Sequence, residues 1–369
     1  MEIEMIMRRL FTQHARQVGL AIVGYVILAG SLVNSLPGQV YAAEKIVTVA
    51  EGPMALPVWK IPNIPEAAEA YYASDNLHVI AQVQDPAAQP AKERAAGGAL
   101  TYTFTDQGEE LKRINDRGQD GCSYFMPGMS ALLWTSTRDN MEMPIGNWSD
   151  ENDYPMGAEL YISDLDGNNV LRLTNNEHYD AEISAAPDGK WIVFSRQIDG
   201  NLDLWRIRPD GSDEQQITFT DDWQEGRPMY LPDSETVMFR AWNKDDYGNV
   251  RPTPMTVFTI KHDGSQLTPR TFTEGMNWGS YPAPDGRHFV MVNVIEGNNW
   301  EIFMGDMDGG EPVRLTYNDG FDGFASISPD GKKMLFTRSV GSGFMSDLYT
   351  HVMDISALNV GPENYKEAR

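Results

Sequence analysis

The sequence predicts an all-β fold, a six-bladed β-propeller built from four-stranded antiparallel blades. Three observations lead there. A turn triplet recurs as Pro187-Asp188-Gly189, Pro284-Asp285-Gly286 and Pro329-Asp330-Gly331, with Pro232-Asp233-Ser234 as a fourth copy; the four prolines, in chain order, are 45, 52 and 45 residues apart. The triplets are followed by runs that alternate with period two, such as Trp191 to Arg196 and then Leu202 to Ile207. The units close on short segments ending in Leu173-Thr174, Ile217-Thr218 or Leu315-Thr316. Proline presets φ for a tight turn and glycine supplies positive φ, so each triplet reads as a hairpin between two strands. Four strands in a repeat of about 45 residues make a propeller blade.

In chain order, residues 1–42 read as a secretory signal peptide. Met7-Arg8-Arg9 begins a charged segment, Val18 to Val33 is apolar, and Val40-Tyr41-Ala42 carries small or aliphatic residues where a signal peptidase reads. The apolar run falls short of the about 20 residues that an uncleaved anchor, the alternative, would need. This predicts a periplasmic or otherwise exported protein with no membrane insertion once the leader is gone. Residues 43–69 are assigned to an N-terminal closing strand and linker, 70–358 to the propeller and 359–369 to a tail. The last unit lacks an outer strand, and Lys45 to Val49 is expected to supply it, closing the ring and removing its sheet edges.

Two weaker copies precede the clear ones. Met126-Pro127-Gly128-Met129 leads into Ala131 to Arg138, and Ser74-Asp75-Asn76 into Leu77 to Val83, which brings the total to six. Seven blades is the alternative that length alone would allow. Three insertions absorb the difference: about Gln84 to Gly98, Thr137 to Met156 and Trp242 to Pro254. All three fall between the second and third strands of a blade, so one face of the ring is decorated.

The chain carries 29 Lys and Arg against 53 Asp and Glu, a net charge of −24. Such a surface repels nucleic acid and anionic membranes and leaves cations and basic protein surfaces as partners. The single cysteine, Cys122, reads as a buried, inert thiol. No C-x-x-C-H haem attachment, H-E-x-x-H, G-x-S-x-G or phosphate-binding loop occurs. The histidines His78, His178, His262, His288 and His351 fall at unrelated blade positions and read as structural.

These repeats resemble those of TolB-type propellers, the WD-like repeats of exported bacterial proteins, over roughly residues 70 to 355. The resemblance implies the architecture and leaves activity open. Seven residues before each turn proline stands a nearly uniform carboxylate or amide: Asp120, Asp180, Glu225, Asn277 and Asp322. On one reading these converge at the channel mouth as a binding ring, where a calcium-like ion would offset their repulsion. On the other, each caps its own loop through backbone N–H groups, as the aspartate of TolB-like repeats would. The aromatic residues His178, Tyr179, Trp223, Trp278 and Phe321 crowd the same loops as candidate partner contacts. The insertion from Lys244 to Phe258, with Asp245, Asp246, Tyr247 and Arg251, is a candidate arm stiffened by two prolines.

The expected function is that of a non-catalytic exported scaffold that binds a basic partner protein through its decorated face, with no certain cofactor. In architecture and one inserted loop the chain is also similar to the propeller subunit of hydrazine synthase. That implies a cofactor-free accessory subunit whose insertion reaches a catalytic neighbour, any haem belonging to the partner chains. A metal-assisted carbohydrate lyase or hydrolase acting at the channel mouth is the third expectation.

Overall fold

The turn triplets form the hairpins expected of them. In the fourth copy Asp233 Oδ1 accepts the backbone N–H groups of Glu235 and Thr236, and Asp285 does the same for Arg287 and His288. The third position needs a left-handed backbone, which Gly189, Gly286 and Gly331 supply at φ of 72°, 72° and 70°. Where it is not glycine, the side chain finds a use. Ser234 adopts φ 63° and its Oγ accepts the Asp188 N–H at 3.0 Å; Asn76 adopts φ 59° and its Oδ1 accepts the Asp330 N–H at 2.9 Å. Both bonds join one blade's turn to the next blade's turn.

The computed structural model describes residues 46–89, 98–272, 275–341 and 345–366. The leader expected at 1–42 lies outside them. Among the described residues, no helix is long and apolar enough to cross a membrane. Six antiparallel sheets follow one another around the ring. Blade 1 comprises Ala67–Tyr72, His78–Asp85, Gly98–Thr105 and Lys112–Arg113. Blade 2 comprises Asp120–Phe125, Leu132–Ser136, Glu159–Ser163 and Leu171–Arg172. Blade 3 runs from Tyr179–Ala185 to Gln215–Gln216, blade 4 from Trp223–Tyr230 to Thr268–Pro269, and blade 5 from Trp278–Pro282 to Val313–Arg314. Apolar faces of adjacent blades form the core: Leu133 and Leu160 of blade 2 pack with Ile183, Ile192 and Phe194 of blade 3. Each fully buried side chain of this kind contributes about 1.5–3 kcal/mol.

Blade 6 has five strands, in the order Val49–Glu51, Leu56–Lys60, Leu348–Asp354, Lys333–Ser339 and Asp322–Ile327. The ring is closed by the N-terminal segment, but the closing strand is Leu56–Lys60 and not Lys45 to Val49. Burial is the reason: Leu56 and Val58 point into the core of blade 6, whereas Val47 and Val49 are exposed. Val49 instead begins the fifth, outermost strand. The three insertions lie where expected, each between the second and third strands, in blades 1, 2 and 4.

Candidate functional site

All five residues of the expected ring are buried, and their polar atoms serve their own surroundings. Asp180 holds Arg196 through two bonds of 2.6 and 2.7 Å, and Asp322 holds Arg338 through two of 2.8 and 2.6 Å. Arg196 also pairs with Glu214, and Arg338 with Glu51 on the outermost strand. Asp120 accepts from the Thr101 backbone N–H and from Asn115 Nδ2; burial raises its pKa to about 6 against those bonds. Glu225 accepts from Thr220 Oγ1 at 2.7 Å, and burial pushes its pKa up to about 8. Asn277 Nδ2 donates to the Met255 carbonyl. Of the five, only Asp120 lines the axial cavity. The five are therefore engaged in separate local bonds, two of them ion pairs with a strand arginine, and do not form a shared ring at the mouth. Among the described residues no three His, Cys, Asp or Glu side chains group as metal ligands would.

The residues that do face the axis stand two positions later. Every innermost strand shifts register at the same place, between Ala68 and Tyr71, Asp120 and Ser123, Ala181 and Ser184, Gly226 and Met229, Trp278 and Tyr281, and Gly323 and Ser326. A β-bulge re-aims the side chain it displaces. The displaced residues are Glu69, Cys122, Glu182, Arg227, Gly279 and Phe324. Five of these six have φ between 52° and 64°, four of them without being glycine. That conformation costs of order 1 kcal/mol or more per non-glycine residue. All but Gly279 line a cavity of about 260 Å³. The sequence concealed this position because, of the six residues, only Glu69 and Glu182 share a residue type.

Aromatic rings make the rest of the wall. Of the five expected contacts, Tyr179, Trp278 and Phe321 line the cavity, while His178 and the exposed Trp223 do not. Tyr179 stacks on Tyr154 with centroids 4.2 Å apart, and Trp278 meets Phe324 edge-on at 4.8 Å. Tyr154 and Trp148 come from the insertion of blade 2, which crosses blade 3 to reach blade 4. Gln197 of blade 3 donates to the Glu151 carbonyl, and the Trp242 indole of blade 4 donates to Glu151 Oε2 at 2.5 Å. Tyr247, on the expected arm, donates to the Ser149 carbonyl at 3.4 Å. The insertions of blades 2 and 4 therefore meet as a strap beside the cavity. Asp245 and Arg251 remain exposed and Asp246 is half-buried.

The titratable groups of the cavity are strongly coupled to burial. Arg240 Nη2 donates to Glu182 Oε1 at 2.7 Å, and Glu182 Oε2 accepts the Arg227 backbone N–H. Burial raises the pKa of Glu69, opposed chiefly by the charge of Arg227, and drives the Cys122 thiol well up. Cys122 Sγ donates to Glu69 Oε2 at 3.3 Å, which fits the inert thiol expected of it.

No family model matches the chain. An uncharacterized protein of Agrobacterium fabrum is 25% identical over 264 residues, 64% of this chain and 87% of its own length. Among solved structures, TolB from Acinetobacter baumannii superposes with a TM-score of 0.54 at 17% identity, covering 76% of this chain and 64% of that protein. An oligogalacturonate lyase in complex with manganese superposes with a TM-score of 0.56 at 13% identity, covering 84% of this chain and 96% of that one. The fold is thus that of TolB-type propellers, and an enzyme shares it.

Proposed function

We propose that the chain is a non-catalytic exported scaffold that binds a basic partner protein through its decorated face. One observation carries the reading: the insertions of blades 2 and 4 emerge on the same face and join each other across an intervening blade. That is a built surface, since loops of independent origin rarely share hydrogen bonds without a packing role. Around it the interblade loops expose Glu177, Asp221 and Asp222 beside Phe219, 75% exposed, and Trp223, 39% exposed. Acidic groups flanking exposed aromatic rings suit a partner that offers lysine or arginine and apolar anchors.

The accessory-subunit reading uses the same surface with a catalytic neighbour as the partner. It is favoured by the outer part of the blade 4 insertion, Gly248 to Pro252, which is exposed throughout. The test is native mass spectrometry of the protein purified from its source, followed by reconstitution with the chain lacking Asp245 to Pro252. A stoichiometric complex that the deletion abolishes, with the β-rich circular dichroism spectrum unchanged, supports the proposal. A monomer in the source, or assembly indifferent to the deletion and to Asp221→Asn with Asp222→Asn, overturns it.

A further inference from the structure

Arg227 is only 2% exposed, lines the axial cavity and yet has no carboxylate partner within 4 Å among the described residues. Of its guanidinium nitrogens, Nη2 donates to the Ala325 carbonyl at 3.3 Å, while Nε and Nη1 have no hydrogen-bond partner among the described residues. Its other neighbours are aromatic faces, with Tyr71 and Phe324 centroids each 5.9 Å away. The contrast with Arg240 is direct, because Arg240 is neutralised by Glu182. Arg227 also sits at φ 52°, so the fold accepts backbone strain to aim this side chain at the axis.

A buried guanidinium whose donors lack acceptors is expensive, and a planar fork of donors is matched by a carboxylate. Glu69 feels the charge of Arg227 through space but makes no bond to it, so the free Nε and Nη1 donors still call for an acceptor. The walls around it, Trp148, Trp242, Trp278 and Phe324 among them, are flat and apolar. A volume of about 260 Å³ exceeds the roughly 150 Å³ in which an apolar cavity holds benzene, which leaves room for a ring and its acid group. We infer that the axial cavity is a binding site for a flat, aromatic monocarboxylate whose acid group lies on Arg227. Trp242, Tyr247 and Ser149 belong to both the strap and the cavity wall, but carboxylate binding by the isolated chain needs no partner, so failure of one reading is distinguishable from failure of the other. Glu69, half-buried and facing the same cavity, opposes an anionic ligand whenever it is ionised.

The test uses the full chain and isothermal titration calorimetry, with tryptophan emission as a second readout. The probes are benzoate and indole-3-carboxylate, with benzamide as the neutral isostere, benzamidine as the cation and inorganic phosphate as the non-planar anion. The carboxylates are expected to bind saturably and the other three not. Arg227→Met should weaken them about tenfold to a hundredfold, the worth of a charge-assisted bond. Glu69→Gln, which keeps the shape, should tighten carboxylate binding at neutral pH and flatten its decline with rising pH. That variant decides the matter if Arg227→Met does not fold. Equal binding of benzamide or benzamidine, unchanged binding by Arg227→Met, weaker binding by Glu69→Gln, or no saturable binding at millimolar carboxylate overturns the inference.

Discussion

Arg240 of blade 4 and Glu182 of blade 3 form an ion pair across the blade boundary, Nη2 to Oε1 at 2.7 Å, with Arg240 buried and Glu182 largely so. The pair stands in the wall of the axial cavity, and Ser195 Oγ adds a third bond to the same carboxylate at 3.1 Å. Removing one partner of a buried pair leaves the other charged and unsolvated, which costs more than the pair itself is worth. Arg240→Met should therefore destabilise the protein by about 3–5 kcal/mol. Adding Glu182→Gln should restore most of that loss. Urea unfolding of the three variants checks both values, and a double variant as unstable as the single would refute the account.

Burial of Glu151, which accepts from the Trp242 indole, makes the strap sensitive to pH. Burial raises the Glu151 pKa to about 7, against the opposing effect of the indole bond. The folded chain keeps this proton at a pH where the unfolded chain, with an ordinary value of 4.5, has released it. The group's stabilising effect is thus complete below about pH 4.5 and declines as pH rises through about 7. His351 works in the opposite sense: burial lowers its pKa to about 4, so its contribution is present above its ordinary 6.5 and is lost as pH falls. The difference between wild type and Glu151→Gln isolates the first effect. Thermal melts between pH 4 and 8 should show that the variant loses part of the decline toward pH 8.

Ser234 offers a test of the turn argument. Its φ of 63° favours glycine, while its Oγ bonds the Asp188 N–H of the neighbouring blade. Ser234→Ala keeps the strain and removes the bond, and is expected to cost about 0.5–1.5 kcal/mol. Ser234→Gly also removes the bond but relieves the strain by a similar amount, so it should be close to neutral. Denaturation midpoints that rank alanine above glycine would contradict this.

Gly121 is the point where the strap rests on blade 2. A Cβ there would lie 2.5 Å from the Trp148 ring, too close for the ring to stay. Gly121→Ala should displace Trp148, break its 3.1 Å indole bond to Gln119 and expose the ring. A red shift in tryptophan emission with the melting temperature lowered by only a few degrees is the expected outcome. Unchanged emission would mean that Trp148 does not lean on Gly121.

The blades were legible because the Pro-Asp-Gly turns mark register, and register decides which residues face inward. The closing strand lies 11 residues beyond the expected Lys45 to Val49 because Pro57 spoils the look of a strand in Leu56 to Lys60, yet proline pairs there with Ala50 on an outer strand where a donor can be spared. At the site the legible feature was the uniform acidic position from Asp120 to Asp322. It is nearly uniform in residue type although its bonds differ, ion pairs to Arg196 and Arg338 at Asp180 and Asp322 but a backbone N–H at Asp120. The bulged position varies: Glu69 and Glu182 in two blades, and Cys122, Arg227, Gly279 and Phe324 in the others. Only the recurring bulge identifies it, and a bulge leaves no composition signal in a single chain.

The two outer strands of blade 6, Val49 to Glu51 and Leu56 to Lys60, precede the other blades in the chain, and its three inner strands follow them. During synthesis, Leu56 to Lys60 can pair with Val49 to Glu51 on one edge, but its other edge must wait until Leu348 to Asp354 exists. Until then the growing ring has two raw edges, and each is a template for another chain's strand. A chain that stops short of Leu348 to Asp354 is thus an adhesive intermediate and not a smaller propeller, and the ring becomes whole only once that strand has been made.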